Sequence, residues 1–416
     1  VGEIKISMPK LVLKFGGSSL ATVDKIRAAA HRIALLSQQH RCVVVVSAMG
    51  DETDILLQQS AALHPSEHLR EYDMLLATGE QKSMALMAMA LREEKVHARS
   101  LTGWQAKIQT TQQHMHARIV HIDTKVIEQC WENNEVPVIA GFQGVCDQEI
   151  TTLGRGGSDL TAVALAAALY ADECQIFTDV DGVYSADPRL VPDAVKWNEI
   201  TYAAMLELAS VGAQVLHNRA VELACKMHVN LRVLSTFVEG AGTMVKHRIK
   251  KVPTVSGIAY QSDQAVVFLM YANDEIHHHA ILAMLNRYKV LMGTVHSSHY
   301  KNNYVLLSFA LPMANVASIE AALQEYLGQD LESIECHLHQ AQVSVVGVGV
   351  QSSELVFSQV HEWLADNRLK VRLTTSSEAR FSFYIDDHAG KKIIKNLHDL
   401  FHLQDFSQES FENSPE

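Results

Sequence analysis

The chain is short of positive charge. Among its 416 residues, 35 Lys and Arg stand against 47 Asp and Glu, a formal net charge of −12 at pH 7 with His neutral. That sign excludes a protein whose main task is to neutralise the phosphates of a nucleic acid. Proline is scarce at 8, and the 21 glycines are spread through the chain, so neither a collagen-like nor a disordered low-complexity composition is present. No stretch approaches the roughly 18 to 20 uncharged apolar residues of a membrane span, and no basic segment with a following apolar run opens the chain. A cytoplasmic protein that binds neither membrane nor nucleic acid is the expectation. Cys42, Cys130, Cys146, Cys174, Cys225 and Cys336 are scattered without C-x-x-C or metal-ligand spacing and read as reduced thiols in apolar surroundings. No Gly-Lys-Ser/Thr, His-Arg-Asp or Asp-Phe-Gly occurs, which excludes the commoner phosphotransferase designs.

What is present is a core-forming composition, 48% hydrophobic, in a chain long enough for two to four domains. Met8-Pro9-Lys10 precedes the first apolar run, so residues 1–7 read as an extension or a processed start and stay outside the fold argument. From Lys10 to about Asp193, short β-branched runs alternate with helical stretches. Leu11–Phe15, Cys42–Ser47, Val136–Gly141 and Gln175–Val180 are largely apolar runs without alternation, of the kind found in parallel strands buried on both faces. Helices are expected near 23–39 and over 160–169. The pattern predicts an α/β sandwich with a mainly parallel central sheet, in which ligands bind at the carboxyl ends of the strands. After Lys251-Val252-Pro253 come two similar βαββ-like segments about 80 residues apart, one from Val255 to Phe309 and one from Val343 to Ile385, which suggest paired small sandwich domains.

Lys14-Phe15-Gly16-Gly17-Ser18-Ser19 follows the first strand. Adjacent glycines and a helix start bring backbone N–H groups close to an anion, with Lys14 as a point charge, although such turns also arise for steric reasons alone. Thr151-Thr152-Leu153-Gly154-Arg155-Gly156-Gly157-Ser158-Asp159 leads into a small-residue helix for which Ser158 or Asp159 is the expected cap. Arg155 offers a planar fork suited to a carboxylate, and Asp159 can orient a lysine or a metal. Thr178-Asp179-Val180-Asp181-Gly182-Val183-Tyr184 and Asp187-Pro188-Arg189 end another buried strand, with the aromatic, cation and oxygen ligands a nucleotide and Mg²⁺ require.

Together with Val46–Gly50, Ala77-Thr78-Gly79-Glu80 and Glu207–Ala224, these motifs closely resemble the aspartate kinases of the amino-acid kinase superfamily, with weaker resemblance to tandem ACT domains beyond about residue 255. The resemblance implies a catalytic domain over residues 8–250 and two ferredoxin-like ACT domains over 255–335 and 341–403. It implies ATP-dependent phosphorylation of the side-chain carboxylate of L-aspartate with Mg²⁺, the first step towards lysine, threonine and methionine, and a homo-oligomer, dimer or dimer of dimers, with lysine or threonine as effector. By the same resemblance Lys14, Gly16, Gly17 and Ser18 hold the transferring phosphoryl group and Asp159 orients the lysine. Arg155 clamps the substrate α-carboxylate, Glu80 meets its ammonium, and Ser47, Thr53 and Ser158 add hydrogen bonds. Thr178, Asp179, Tyr184, Arg189 and Gln214 line the nucleotide, and no side-chain metal site is expected.

Gln214 is a departure, because the family usually carries a lysine there; a lost cation beside a triphosphate predicts a raised KM for ATP. The ACT repeats depart too, with Asn273-Asp274-Glu275 and Ser352-Ser353-Glu354 where Pro-Gly is usual, and Met292-Gly293-Thr294-Val295-His296 in place of a typical effector strand. Feedback inhibition that is weak, absent or directed at a different effector is the expectation. His277-His278-His279 reads as a solvated helix start, and Met84, Met87 and Met89 read as core packing. Two rivals stay open at this point: another carboxylate kinase of the superfamily, such as a glutamate or acetylglutamate kinase, and a catalytically impaired amino-acid sensor.

Overall fold

The computed structural model describes residues 8–63, 69–212, 215–249, 253–272, 275–288, 290, 294–300, 304–350 and 353–406. Gln214 and the departures at Asn273, Asp274, Met292, Gly293 and Ser352 lie outside these residues. The chain divides into two units. The first comprises Val1–Val183, Lys196–Ala209 and Gln214–Ile249; the second comprises Tyr184–Val195, Ser210–Ala213 and Lys250–Glu416.

The first unit runs through β1 (Lys10–Phe15), α1 (Val23–Ser37), β2 (Arg41–Val46), α2 (Glu52–Ala61), α3 (Leu69–Glu93), β3 (Ala98–Leu101), β4 (Ile108–Thr110) and β5 (Ile119–Ile122). It continues with α4 (Lys125–Glu132), β6 (Val136–Ala140), β7 (Gln143–Cys146), β8 (Glu149–Thr152), α5 (Gly157–Leu169) and β9 (Glu173–Thr178). Then come β10 (Glu199–Thr201), α6 (Tyr202–Ser210), α7 (Asn218–Lys226), β11 (Leu231–Ser235) and β12 (Thr243–Lys246).

The apolar runs build an eight-stranded sheet of order β10-β12-β11-β9-β1-β2-β6-β3. Every pairing in it is parallel except β11 with β12. Val12, Leu13, Val43, Val44 and Val45 have no solvent exposure, each fully buried aliphatic side chain contributing roughly 1.5 to 3 kcal/mol of transfer free energy. β1 is central, and its neighbours β2 and β9 are reached in opposite directions along the sheet, so their carboxyl ends open a crevice at the switch point. A second, four-stranded sheet of order β5-β4-β7-β8 feeds the loop that leads to α5. Helix α1 is capped by Thr22, whose side chain accepts the Lys25 N–H. Met87 is fully buried and Met84 packs beside it, whereas Met89 is 63% exposed; the core reading of the three methionines fails for Met89, which lies on the opposite face of α3.

The second unit contains β13 (Gly257–Ala272), α8 (Glu275–Arg287), β14 (His296–Tyr300), β15 (Tyr304–Pro312), α9 (Val316–Leu327), β16 (Leu331–Val346), α10 (Glu354–Asp366), β17 (Leu373–Ser377), β18 (Arg380–Asp386) and α11 (Asp387–Leu400). One antiparallel sheet of order β14-β15-β13-β16-β18-β17 carries both repeats. β13 and β16 pair along their lengths with register shifts around Gln261 to Val266. Beyond the shift β13 joins β15 and a core with Ile281 and Leu285; before it, Ile258 belongs to a core with Val343, Phe383 and Ile394. The excursion Tyr184–Val195 is stitched into this unit. Ser185 Oγ lies 2.9 Å from His398 Nε2 and accepts the Val195 N–H at 2.8 Å, the Ser185 carbonyl accepts the Ile258 N–H at 2.7 Å, and Val191 is fully buried. Burial holds the His398 pKa below its ordinary value. The three histidines at the start of α8 engage separately: His277 meets Asp330, His278 meets the Tyr271 hydroxyl, and His279 meets the Glu275 carbonyl.

Candidate active site

At the end of β1 the chain turns through Gly16 and Gly17. The Gly16 N–H donates to the Phe177 carbonyl of β9 at 3.2 Å, and the Gly17 carbonyl accepts the Gly50 N–H at 3.0 Å, tying the loop to both neighbouring strand ends. A Cβ on Gly17 would lie 2.9 Å from the Ala48 carbonyl oxygen, so no larger residue passes there. Ser19 beneath the turn accepts from the Thr236 hydroxyl. Lys14, on the last turn of the strand run, is nearly buried, and its Nζ stands 2.6 Å from Asp159 Oδ1. A Cβ at Gly16 would be 3.4 Å from the same Nζ. The lysine, the glycine turn and the Asp159 carboxylate thus come together at the carboxyl end of β1.

Asp159 comes from the first turn of α5. That helix is set by backbone rather than by a side-chain cap: Gly156 is the N-cap at φ +71°, and Ser158 and Asp159 already lie inside the helix. The expected Ser158 or Asp159 cap is thereby corrected, because two glycines let the chain enter the helix before either residue. Packing is close on both sides. A Cβ on Gly156 would sit 2.2 Å from His217 Cγ, and one on Gly141, after β6, would sit 2.8 Å from Ser158 Cβ. Arg155 lies exposed in the turn between two glycines of positive φ, Gly154 and Gly156.

Glu80 approaches from α3 and is 3% exposed. Its Oε1 accepts the Ala48 N–H at 3.0 Å, while Oε2 is buried without a hydrogen-bond partner. Desolvation pushes its pKa up to about 8, partly offset by the backbone hydrogen bonds. Ala48 thus lies against Gly17 through its carbonyl and Glu80 through its amide. Ser47 is half-buried at the end of β2 and its N–H donates to the Phe15 carbonyl at 3.1 Å; Thr53 is half-buried in the first turn of α2. Thr178 ends β9 and Asp179 follows it, the two joined by a hydrogen bond of 3.0 Å from the Thr178 hydroxyl to the carboxylate. Asp181 is engaged by Lys196 at 2.8 Å.

Residues 9–235 match the amino acid kinase family model. The chain is 40% identical over 410 residues to aspartokinase 2 of Bacillus subtilis, covering 95% of this chain and 98% of that protein. Against the aspartokinase of Geobacillus stearothermophilus the identity is 42%, covering 94% and 97% of the two chains. The chain belongs to the aspartokinases. Among solved structures, Escherichia coli aspartokinase III in complex with aspartate and ADP matches with a TM-score of 0.75 at 23% identity, over 94% of this chain and 99% of that one. That likeness carries the fold: the aspartokinase sandwich followed by an antiparallel ACT-like sheet.

Two of the expected nucleotide residues, Tyr184 and Arg189, belong to the second unit of this aspartokinase. Arg189 is exposed and its guanidinium forks onto Asp187 at 2.7 to 3.1 Å, which lowers the Asp187 pKa. The sequence reading missed His217, whose ring fills the space over Gly156. Its Nδ1 is buried without a partner, and burial lowers its pKa while nearby Asp159 opposes that shift. It also missed Arg219, which donates to the Leu153 carbonyl at 2.7 Å and steadies the turn before Arg155. Both lie in the Glu207–Ala224 segment that carries the family resemblance, so the signal was present without an assigned role.

Proposed function

We propose that the chain is an ATP-dependent aspartate kinase that forms 4-phospho-L-aspartate. The observation that carries the reading is the placement of Ala48 between two recognition elements: the Gly16-Gly17 turn with Lys14 beside it, and Glu80 with an unpartnered buried oxygen. An anion-holding turn and a buried carboxylate on opposite sides of one residue fit a γ-phosphoryl group and an ammonium on one substrate pair.

In the proposed reaction, one oxygen of the aspartate side-chain carboxylate attacks the γ-phosphorus of ATP as the bond to the β,γ-bridging oxygen breaks, leaving ADP. No general base is needed, because the nucleophile is already ionised at neutral pH. The work is in-line placement and neutralisation of crowded negative charge. Lys14, oriented by Asp159, and the amides of Gly17 and Ser18 take the phosphoryl oxygens, while the Gly16 N–H stays on the Phe177 carbonyl and Gly16 leaves room beside the lysine. Arg155 takes the α-carboxylate and Glu80 the ammonium, with Ser47, Thr53 and Ser158 donating hydrogen bonds. Thr178, Asp179, Tyr184, Arg189 and Gln214 serve the nucleotide, whose phosphate charge a Mg²⁺ ion, when bound, would partly neutralise. We further propose a homodimer or dimer of dimers in the cytoplasm, with lysine or threonine acting weakly at the ACT-like sheet; E. coli aspartokinase III has been solved with lysine and aspartate in a T-state. The test is hydroxylamine trapping of acyl phosphate with ATP and aspartate, alongside glutamate and acetylglutamate and with lysine or threonine added. Aspartate-dependent product alone supports the reading. Turnover of another carboxylate, or aspartate binding without turnover, overturns it, and strong inhibition at sub-millimolar lysine or threonine overturns the weak-effector part.

A further inference from the structure

Asp73 has no role in the chemistry above, yet it is a buried carboxylate on which three residues converge with hydrogen bonds. It lies on α3 seven residues, or two turns, before Glu80, so both carboxylates project from one side of the same helix. It has no solvent exposure. His114 Nδ1 lies 2.7 Å from its Oδ2, the Met115 N–H reaches its two oxygens at 3.0 and 3.2 Å, and the Thr152 hydroxyl donates to Oδ1. A carboxylate removed from water is tolerated only when so paired.

The partners belong to the two segments that frame the Arg155 turn. Thr152 ends β8, three residues before Arg155, and its carbonyl accepts the Ala117 N–H at 2.9 Å. Met115 lies in the connection from β4 to β5, and a Cβ on Gly154 would meet its carbonyl at 3.0 Å. Asp73 is thus the joint between the helix that carries Glu80 and the strand end that delivers Arg155.

We propose that Asp73 is a positioning residue that fixes Glu80 relative to Arg155, and with them the grip on the α-amino-acid head of the substrate. This rests on the assignment of Glu80 and Arg155 to the ammonium and α-carboxylate. Loosening the joint weakens aspartate binding and leaves ATP binding alone, a split that general destabilisation does not produce.

The experiment measures aspartate and ATP affinities by titration calorimetry, and acyl phosphate formation on the same preparations, for the wild type, Asp73→Asn, Thr152→Val and Thr152→Ser. Thr152→Val removes the hydroxyl at constant shape, and Thr152→Ser retains it. The expected result is an aspartate affinity lower by about 10-fold or more in Asp73→Asn and Thr152→Val, an ATP affinity within about twofold of wild type, and recovery in Thr152→Ser. Equal losses for both ligands, no loss for either, or a Thr152→Ser variant as impaired as Thr152→Val overturns the proposal. If Asp73→Asn does not fold, the Thr152 pair decides. A wild type that binds aspartate without phosphorylating it defeats the kinase reading, while the affinity split still judges Asp73; a wild type that binds no aspartate defeats both.

Discussion

Replacing Glu80 by Gln tests the substrate reading through pH. With its pKa near 8, the free protein carries Glu80 largely protonated at neutral pH, whereas an ammonium ligand selects the ionised form. Deprotonation before binding costs about 1.4 kcal/mol at pH 7 and about 0.4 kcal/mol at pH 8. If only the ionised form binds, apparent aspartate affinity rises about 50-fold from pH 6 to pH 8, while both carboxylates of the substrate stay ionised throughout. Glu80→Gln keeps an acceptor for the Ala48 N–H but has no proton to lose, so its aspartate KM is raised and flat with pH. The free protein gives an independent reading. Between the ordinary carboxylate range and pH 8 the folded state holds a proton that the unfolded chain has released, so wild-type stability falls as pH rises, by up to about 1.4 kcal/mol per unit. Denaturant midpoints across this window should slope for wild type and flatten in Glu80→Gln. An aspartate KM that is constant from pH 6 to pH 8 in wild type, or a variant with the wild-type profile, refutes the assignment of Glu80 to the ammonium.

Lys14→Met should lower the turnover number by about 10²-fold or more and, by leaving Asp159 buried without its cation, cost about 3 kcal/mol of stability; Lys14→Met with Asp159→Asn should recover stability in urea melts without recovering turnover. Gly156→Ala combines a φ of +71° with a Cβ 2.2 Å from His217 Cγ, and a loss of about 2 kcal/mol or more is expected; an unchanged thermal midpoint would show that the His217 ring moves away freely. Gln214→Lys should lower the KM for ATP and leave that for aspartate in place, and unchanged ATP kinetics would remove Gln214 as the cause of weak nucleotide binding.

The sheet was legible because Leu11–Leu13 and Cys42–Val46 are apolar without alternation, the pattern of strands buried on both faces, and the Gly16-Gly17 pair after the first strand offers the close backbone approach an anion needs. The Lys14–Asp159 pair was implied by the family resemblance, the residue types alone leaving a lysine or a metal open as the partner of Asp159. What escaped were groups whose importance depends on closure in space. Asp73 sits in a helix that reads as ordinary amphipathic sequence, and its burial is decided by Thr152 and His114, 79 and 41 residues away. His217 gains its place from the missing Cβ of Gly156. The α5 start was misread because propensity favours Ser158 and Asp159 as caps, while the left-handed Gly156 ends the turn sooner.

The two sixteen-residue strands β13 and β16 have a consequence for how the ACT-like sheet comes apart. Each lends one half to each repeat, so neither repeat owns a complete set of strands. Unfolding of one strips partners from the other, and the pair should melt as a single cooperative block in hydrogen exchange rather than as two domains in series. A cut placed between the repeats by sequence alignment would then yield two fragments, neither of which folds, and a disturbance entering at one end of the sheet is delivered through continuous backbone to the other.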